Sequence, residues 1–338
     1  MGNNVFGCCD ANSTNRNSEI SLYAAKNKTN SRNSFQRPSD LFSSIISNID
    51  IDMSNIDAKK AQLQALTNGK ALQLKVLNSE NLTKGSILTF KPTGLVGSLR
   101  NAYDGFTFFG CKKKLKSQIV NDFVIPLKDR EMEDNNRGRN FVIFYKIDKD
   151  SYWIRDLAKG FGVFVKLDYA LILKNNMLIN IGESFIVINL LKQNTEHSVR
   201  LILKVYGGNV AGEIKSYREI DSIIRIGRHM SCNLKIDDPL LSKIQCTIYY
   251  NPISGWTLGD GDIDTQRSST NGTWLYLNED FEIYNGMVFK SHQTLFEVKK
   301  YLGNFGITFY SNLIIIKWLL RERLCKAATI SLQCIWKS

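Results

Sequence analysis

The strongest constraint on the fold is a repeat. Between Ala71 and Tyr301 the chain runs as short apolar stretches rich in β-branched and aromatic residues, and their order occurs twice. The segment NFVIFYKIDKDSYWIRDL (Asn140 to Leu157) parallels QCTIYYNPISGWTLGD (Gln245 to Asp260). GVFVKL parallels GTWLYL, and NNMLINIGESFIVI parallels NGMVFKSHQTLFEV. Runs of this length separated by Gly, Asn and Asp read as strands. A repeat of order, spacing and residue type is better evidence than any single strand assignment. With 338 residues, 43% of them hydrophobic, the chain has material for two cores. The expected fold is all-β: two antiparallel β-sandwiches in tandem, at 71–192 and 198–301, behind a disordered N-terminus.

The flanks read differently. Residues 1–66 are rich in Asn and Ser and bury too little to offset chain entropy, so they are expected to be mostly disordered. A short amphipathic helix is expected within Met53 to Lys70, capped by Ser54 or Asn55 and stopped at Asn68-Gly69. The opening MGNNVFGCCD resembles an N-myristoylation start followed by palmitoylation sites, with Gly2, Cys8 and Cys9 as the lipidation candidates. Phe6 departs from that pattern, which wants Ser or Thr there. Two acyl chains hold a protein stably on a membrane surface where one does not. Past Tyr301 the apolar run Ile307 to Leu320 is too short to span a bilayer. Residues 302–338 stay open between a packed helix, an interfacial helix and an unselected tail.

Net charge is +12, which favours anionic partners. The excess is spread along the chain, which speaks against nucleic acid; the densest run, Lys112 to Lys116, reads as a solvated loop. Seven cysteines form no C-x-x-C pair, and the opening residues have no apolar signal core, so a reducing, intracellular compartment is expected. Cys232 and Cys246 read as core fillers. His197, His229 and His292 are scattered, and DGDID (Asp260 to Asp264) lacks the Gly and the bidentate Glu of a calcium loop, so no metal is expected. There is no P-loop, nucleophile elbow or kinase signature; a non-enzymatic chain without a cofactor is expected.

The segment RIGRHMSCNLKIDDPLLSKIQCTIYY, followed by SSTNGTW, carries the functional signal. Gly227-Arg228 ends an apolar strand, Ser242-Lys243 approaches the next, and Asn271-Gly272 is a hairpin-type turn behind a row of hydroxyls. In this order and spacing, with Trp256 and Asp260 between, the chain resembles the forkhead-associated (FHA) domain, a phosphothreonine-binding β-sandwich. The resemblance is good over roughly 198–300 and weaker over roughly 72–192. It implies Arg228, Ser242 and Asn271 as core contacts to a phosphopeptide, Lys243 and Thr270 as supporting ones, and Gly227, Gln245 and Gly272 as structural residues near the site. Gln245 stands where the family has a scaffolding His.

The chemistry fits: a phosphate offers nearly two charges and three acceptor oxygens, and Arg presents a planar fork of donors. Asn271-Gly272-Thr273 also matches the glycosylation acceptor pattern, a reading that falls with the compartment. The first repeat lacks the clamp: it has Gly110-Cys111, the neighbourhood of Arg137, and Phe161-Gly162 at the three places. The expected function is a phosphothreonine-binding adaptor with a threonine-phosphorylated protein as partner. The alternative is a phosphate-independent scaffold built from the same sandwiches.

Overall fold

The computed structural model describes residues 56–66, 71–115, 117–126, 138–158, 161–192 and 199–301. The lipidation candidates Gly2, Cys8 and Cys9, Arg137, His197 and residues 302–338 lie outside the described residues. Among the described residues one helix, α1 (Ile56–Ala65), precedes the strands and seats Leu63, fully buried, in the first core. Among the described residues no helix is long and apolar enough to cross a membrane.

The first repeat contributes β1 (Leu72–Asn78), β2 (Ile87–Lys91), β3 (Gly94–Leu95), β4 (Phe106–Gly110), β5 (Lys114–Leu115), β6 (Gln118–Ile119), β7 (Phe123–Val124), β8 (Phe141–Lys146), β9 (Ser151–Asp156), β10 (Val163–Lys166), β11 (Leu171–Ile172), β12 (Met177–Ile181) and β13 (Ser184–Lys192). The second contributes β14 (Val199–Tyr206), β15 (Ile214–Tyr217), β16 (Ile224–Gly227), β17 (Leu234–Lys235), β18 (Cys246–Asn251), β19 (Gly255–Asp260), β20 (Trp274–Tyr276), β21 (Phe281–Glu282), β22 (Val288–Ser291) and β23 (Thr294–Tyr301). Among the described residues the chain is all-β apart from α1 and one short 3-10 turn, and it builds two sandwiches.

The two sandwiches share one sheet. An 11-stranded sheet runs β15-β14-β13-β12-β20-β10-β22-β23-β1-β2-β3. By repeat position β10 corresponds to β20, β12 to β22, β13 to β23 and β1 to β14, so this order reads alike from both ends about the β20/β10 pair. Two five-stranded sheets, β21-β9-β8-β4-β7 and β11-β19-β18-β16-β17, close the two sandwiches. Each repeat therefore gives its last strands to the other. β11 pairs with β19 and β12 with β20, while β21 pairs with β9 and β22 with β10. The cores show the same exchange. Ile179, Ile181, Ile186 and Ile188 pack with Ile226, Ile248 and Trp256. Phe289 and Phe296 pack against Phe109 and Phe141, with Phe141 and Phe289 ring centroids 6.0 Å apart.

The repeat boundaries at 71–192 and 198–301 are thus boundaries of sequence and not of packing; the crossings fall at 167–170 and 277–280. Chain connectivity gives the reason. β13 and β14 are neighbours in sequence and pair as a hairpin, with Lys192 opposite Val199. Closing a short loop costs little entropy. Once β13 lies beside β14, its hairpin partner β12 follows into the second sandwich. The equivalent place beside β1 is then filled by β23, with Leu72 opposite Tyr301. Asp280, at the end of the second crossing, fixes the arrangement: it accepts from Nε and Nη2 along one guanidinium edge of Arg155, and from the Lys146 ammonium at 2.8 Å. Burial raises the Asp280 carboxyl, but the two cations outweigh it and hold the group below its ordinary value.

This exchange predicts that a chain cut at a protease site inserted between Lys192 and Val199 keeps its halves together. Each half lacks the strands that complete its own cores. Gel filtration of the cut protein should show one species of parent size; separation into two folded halves would contradict the exchange.

Candidate functional site

The site lies at one end of the second sandwich, on the loops that follow β16 and β17 and precede β20. β16 ends at Gly227, where a Cβ would come within 2.4 Å of the Lys243 carbonyl oxygen, so only glycine lets the two backbones meet. That approach is tied by Arg228 N–H donating to Ser242 O at 3.2 Å and His229 N–H to Lys243 O at 3.1 Å. The pairing sets the Arg228 and Lys243 backbones beside each other at one rim, where both residues are exposed. Neither has an ion pair or side-chain hydrogen bond among the described residues.

Gln245 is the hub beneath the rim. It is fully buried, its Oε1 accepts the Ser242 N–H at 3.0 Å, and its Nε2 donates to Ser269 Oγ and to Gly272 O, each at 2.9 Å. One side chain thus ties the Ser242 turn to the Asn271-Gly272 turn. A buried amide can do this because it donates and accepts at one end. Ser269 and Asp260 extend the knot. Asp260 accepts from the Ser269 N–H, the Ser269 hydroxyl at 2.7 Å and the Thr273 hydroxyl at 2.8 Å. Ser269 is a site residue that sequence reasoning missed; its position just before Thr-Asn-Gly was the available signal.

At the surface the Ser242 hydroxyl accepts the Thr270 N–H at 2.9 Å and lies 3.3 Å from the Thr270 hydroxyl. Asn271 is exposed and donates from Nδ2 to Leu240 O at 2.7 Å. Gly272 holds φ at +80° with the Lys166 stem 2.5 Å from where a Cβ would be, so this turn also demands glycine. Trp274 Nε1 donates to Asn271 O at 3.0 Å and locks the turn onto the shared sheet. The structure therefore brings together all five proposed contact residues, Arg228, Ser242, Lys243, Thr270 and Asn271, over the scaffold of Gly227, Gln245 and Gly272.

The first sandwich keeps the scaffold geometry and not the clamp. A Cβ on Gly110 would come 1.8 Å from Gly138 O, and Asn140 N–H donates to Phe109 O at 2.7 Å, as Gln245 N–H does to Ile226 O. Asn140 thus stands where Gln245 does, but its Oδ1 is buried without a partner. Asp156, the counterpart of Asp260, lacks the Ser and Thr donors. Burial pushes its carboxyl up to about 7, against the Ala158 and Val163 N–H groups and the Tyr276 hydroxyl. Gly162 keeps the positive φ of Gly272, while Phe161, at the Asn271 position, meets His292 in a tilted ring contact with centroids 4.0 Å apart. Arg139 is partly buried, donates from Nε to Val120 O at 2.9 Å, and sets its guanidinium over the Phe108 ring at 4.0 Å.

The other candidates also find places. Cys232 and Cys246 are buried free thiols, and burial raises both. Asp264 pairs with Arg225, and Asp262 accepts from Thr265 at 2.9 Å. Among the described residues no three His, Cys, Asp or Glu side chains gather as for a metal.

Residues 224–290 match the family model of the FHA domain. The chain thus carries an FHA domain in its second repeat, a phosphopeptide-binding module of a family that acts in protein interaction and is not catalytic. The matched stretch crosses between the sandwiches: 224–276 builds the second, and β21 and β22 pass into the first. No curated protein and no solved structure matches the chain.

Proposed function

We propose that this chain is a non-enzymatic adaptor that binds a threonine-phosphorylated segment of a partner protein at the rim of its second sandwich. The observation that carries the reading is two cations without a side-chain partner among the described residues, Arg228 and Lys243, on the same rim as the Ser242 and Thr270 hydroxyls. Arg228 supplies the planar fork to the phosphate and Lys243 a point charge. Ser242 and Thr270 supply neutral donors. The second Nδ2 hydrogen and the Oδ1 of Asn271 are left for the peptide backbone, since Leu240 takes one hydrogen. In this reading the protein works inside the cell, held at a membrane surface by acylation at Gly2, Cys8 and Cys9.

The test uses the full chain, because its binding sandwich is built from both repeats. Degenerate peptide pools centred on phosphothreonine, phosphoserine and unmodified threonine are titrated onto it. Saturable binding of the phosphothreonine pool alone is expected. Equal binding of phosphorylated and unmodified pools would favour the phosphate-independent scaffold, to which the clampless first sandwich lends itself.

A further inference from the structure

We propose that the first repeat completes the phosphothreonine site of the second: its Gly182–Glu183 turn positions the 237–242 loop through Asp238. The inference rests on the reading of this rim as a phosphothreonine clamp, and it adds a residue set that the family match does not contain, since 182 and 183 lie outside 224–290.

The turn joins β12 to β13, the hairpin that the first repeat gives to the second sandwich. Glu183 N–H donates to Asp238 Oδ2 at 3.0 Å. Asp238 is only 8% exposed, and its Oδ1 accepts the Leu240 N–H at 2.8 Å. Leu240 O in turn accepts from Asn271 Nδ2 at 2.7 Å. A continuous line of contacts thus runs from the first repeat, through one carboxylate, to the residue that would hold the peptide backbone.

The turn is built for this contact. Gly182 has φ +52° and approaches so closely that a Cβ would lie 2.1 Å from Asp238 Oδ2. Asn180 Nδ2 braces it from within, donating to Gly182 O at 3.2 Å and Ser184 O at 3.0 Å. Lys290, from the strand given the other way, donates to Asn180 Oδ1 at 2.8 Å. A carboxylate held by two backbone N–H groups at right distances keeps its loop in one conformation, and a preformed loop binds more tightly because less is ordered on binding.

The test is a double-mutant cycle in the full chain, read with the phosphothreonine pool. Gly182→Ala should push the Asp238 carboxylate off the turn, and Asp238→Ala removes it; each should weaken binding about tenfold. The double variant should be no weaker than the weaker single, because both changes break one linkage. Amide hydrogen exchange without ligand gives the second readout: Leu240 should exchange faster in Gly182→Ala while Ile248 in the core keeps its protection.

Losses that multiply in the double variant, or Gly182→Ala binding like the parent, would overturn the proposal. Should Gly182→Ala not fold, Asp238→Asn, which turns one acceptor into a donor facing an N–H, takes its place in binding and exchange. Should the parent fail to prefer the phosphorylated pool, the clamp reading falls. Hydrogen exchange then decides alone: faster Leu240 exchange upholds the positioning, and unchanged exchange removes it.

Discussion

Arg228→Ala abolishes the preference for phosphothreonine peptides, at a cost of about 2–5 kcal/mol in binding free energy. The effect is large because the bound phosphate would lose its one planar, bidentate donor. It is also clean. Arg228 is exposed and its side chain has no partner among the described residues, so its removal strands none of them, and melting should stay within about 0.5 kcal/mol of the parent. Arg228→Lys keeps the charge and loses the fork, and an intermediate loss is expected. Lys243→Ala should cost less, and its effect should shrink as salt is raised, because an exposed point charge is screened. Titration of the same pools by fluorescence anisotropy reads all three. An Arg228→Ala chain that still discriminates phosphate would end the clamp reading.

Gln245→Leu destabilises the protein by about 3 kcal/mol, from one buried and one part-buried backbone group left unpaired at roughly 1–3 kcal/mol each. Those groups are the Ser242 N–H and the Gly272 carbonyl; Ser269 keeps Asp260 and the Gly272 N–H. For a folded unit of this size the melting temperature should fall by roughly 6–12 °C. Phosphopeptide binding should fall too, since the Ser242 and Asn271 turns lose their common tie. Gln245→His tests the same point from the other side: an imidazole can replace some of these bonds and should recover part of the stability. If Gln245→Leu melts like the parent, the amide is not the hub its contacts make it.

Much of the site was legible because its signals are local. Gly227 announces a backbone approach that excludes a Cβ and Gly272 a turn with positive φ, and the order Gly-Arg, Ser-Lys, Thr-Asn-Gly survives in a single line of sequence. The sandwiches were legible because strand composition repeats. What could not be read is which copy of a strand pairs with which. β12 and β22 carry similar patterns, so alternation of apolar residues fits either partner, and only loop length and the Asp280 contacts break the tie. Asp238 escaped notice for a related reason. In the sequence it reads as part of the turn-like DDPLL; its meaning comes from Glu183, which lies 55 positions away in the other repeat. The helix was expected over Met53 to Lys70, and the described helix covers Ile56–Ala65, of which Leu63 is the buried anchor.

The pairing of β1 with β23 closes the described chain on itself, for Leu72 lies opposite Tyr301 just as Lys192 lies opposite Val199. The fold is a ring of two equivalent halves, opened at one of two equivalent seams. Which half comes first in the gene is then immaterial to the architecture: joining 301 to 71 and opening the chain at the other seam would leave every strand neighbour in place. What the present opening does decide is where the described strands begin and end: β1 and β23, the first and last of them, lie side by side in the shared sheet, against the core of the first sandwich.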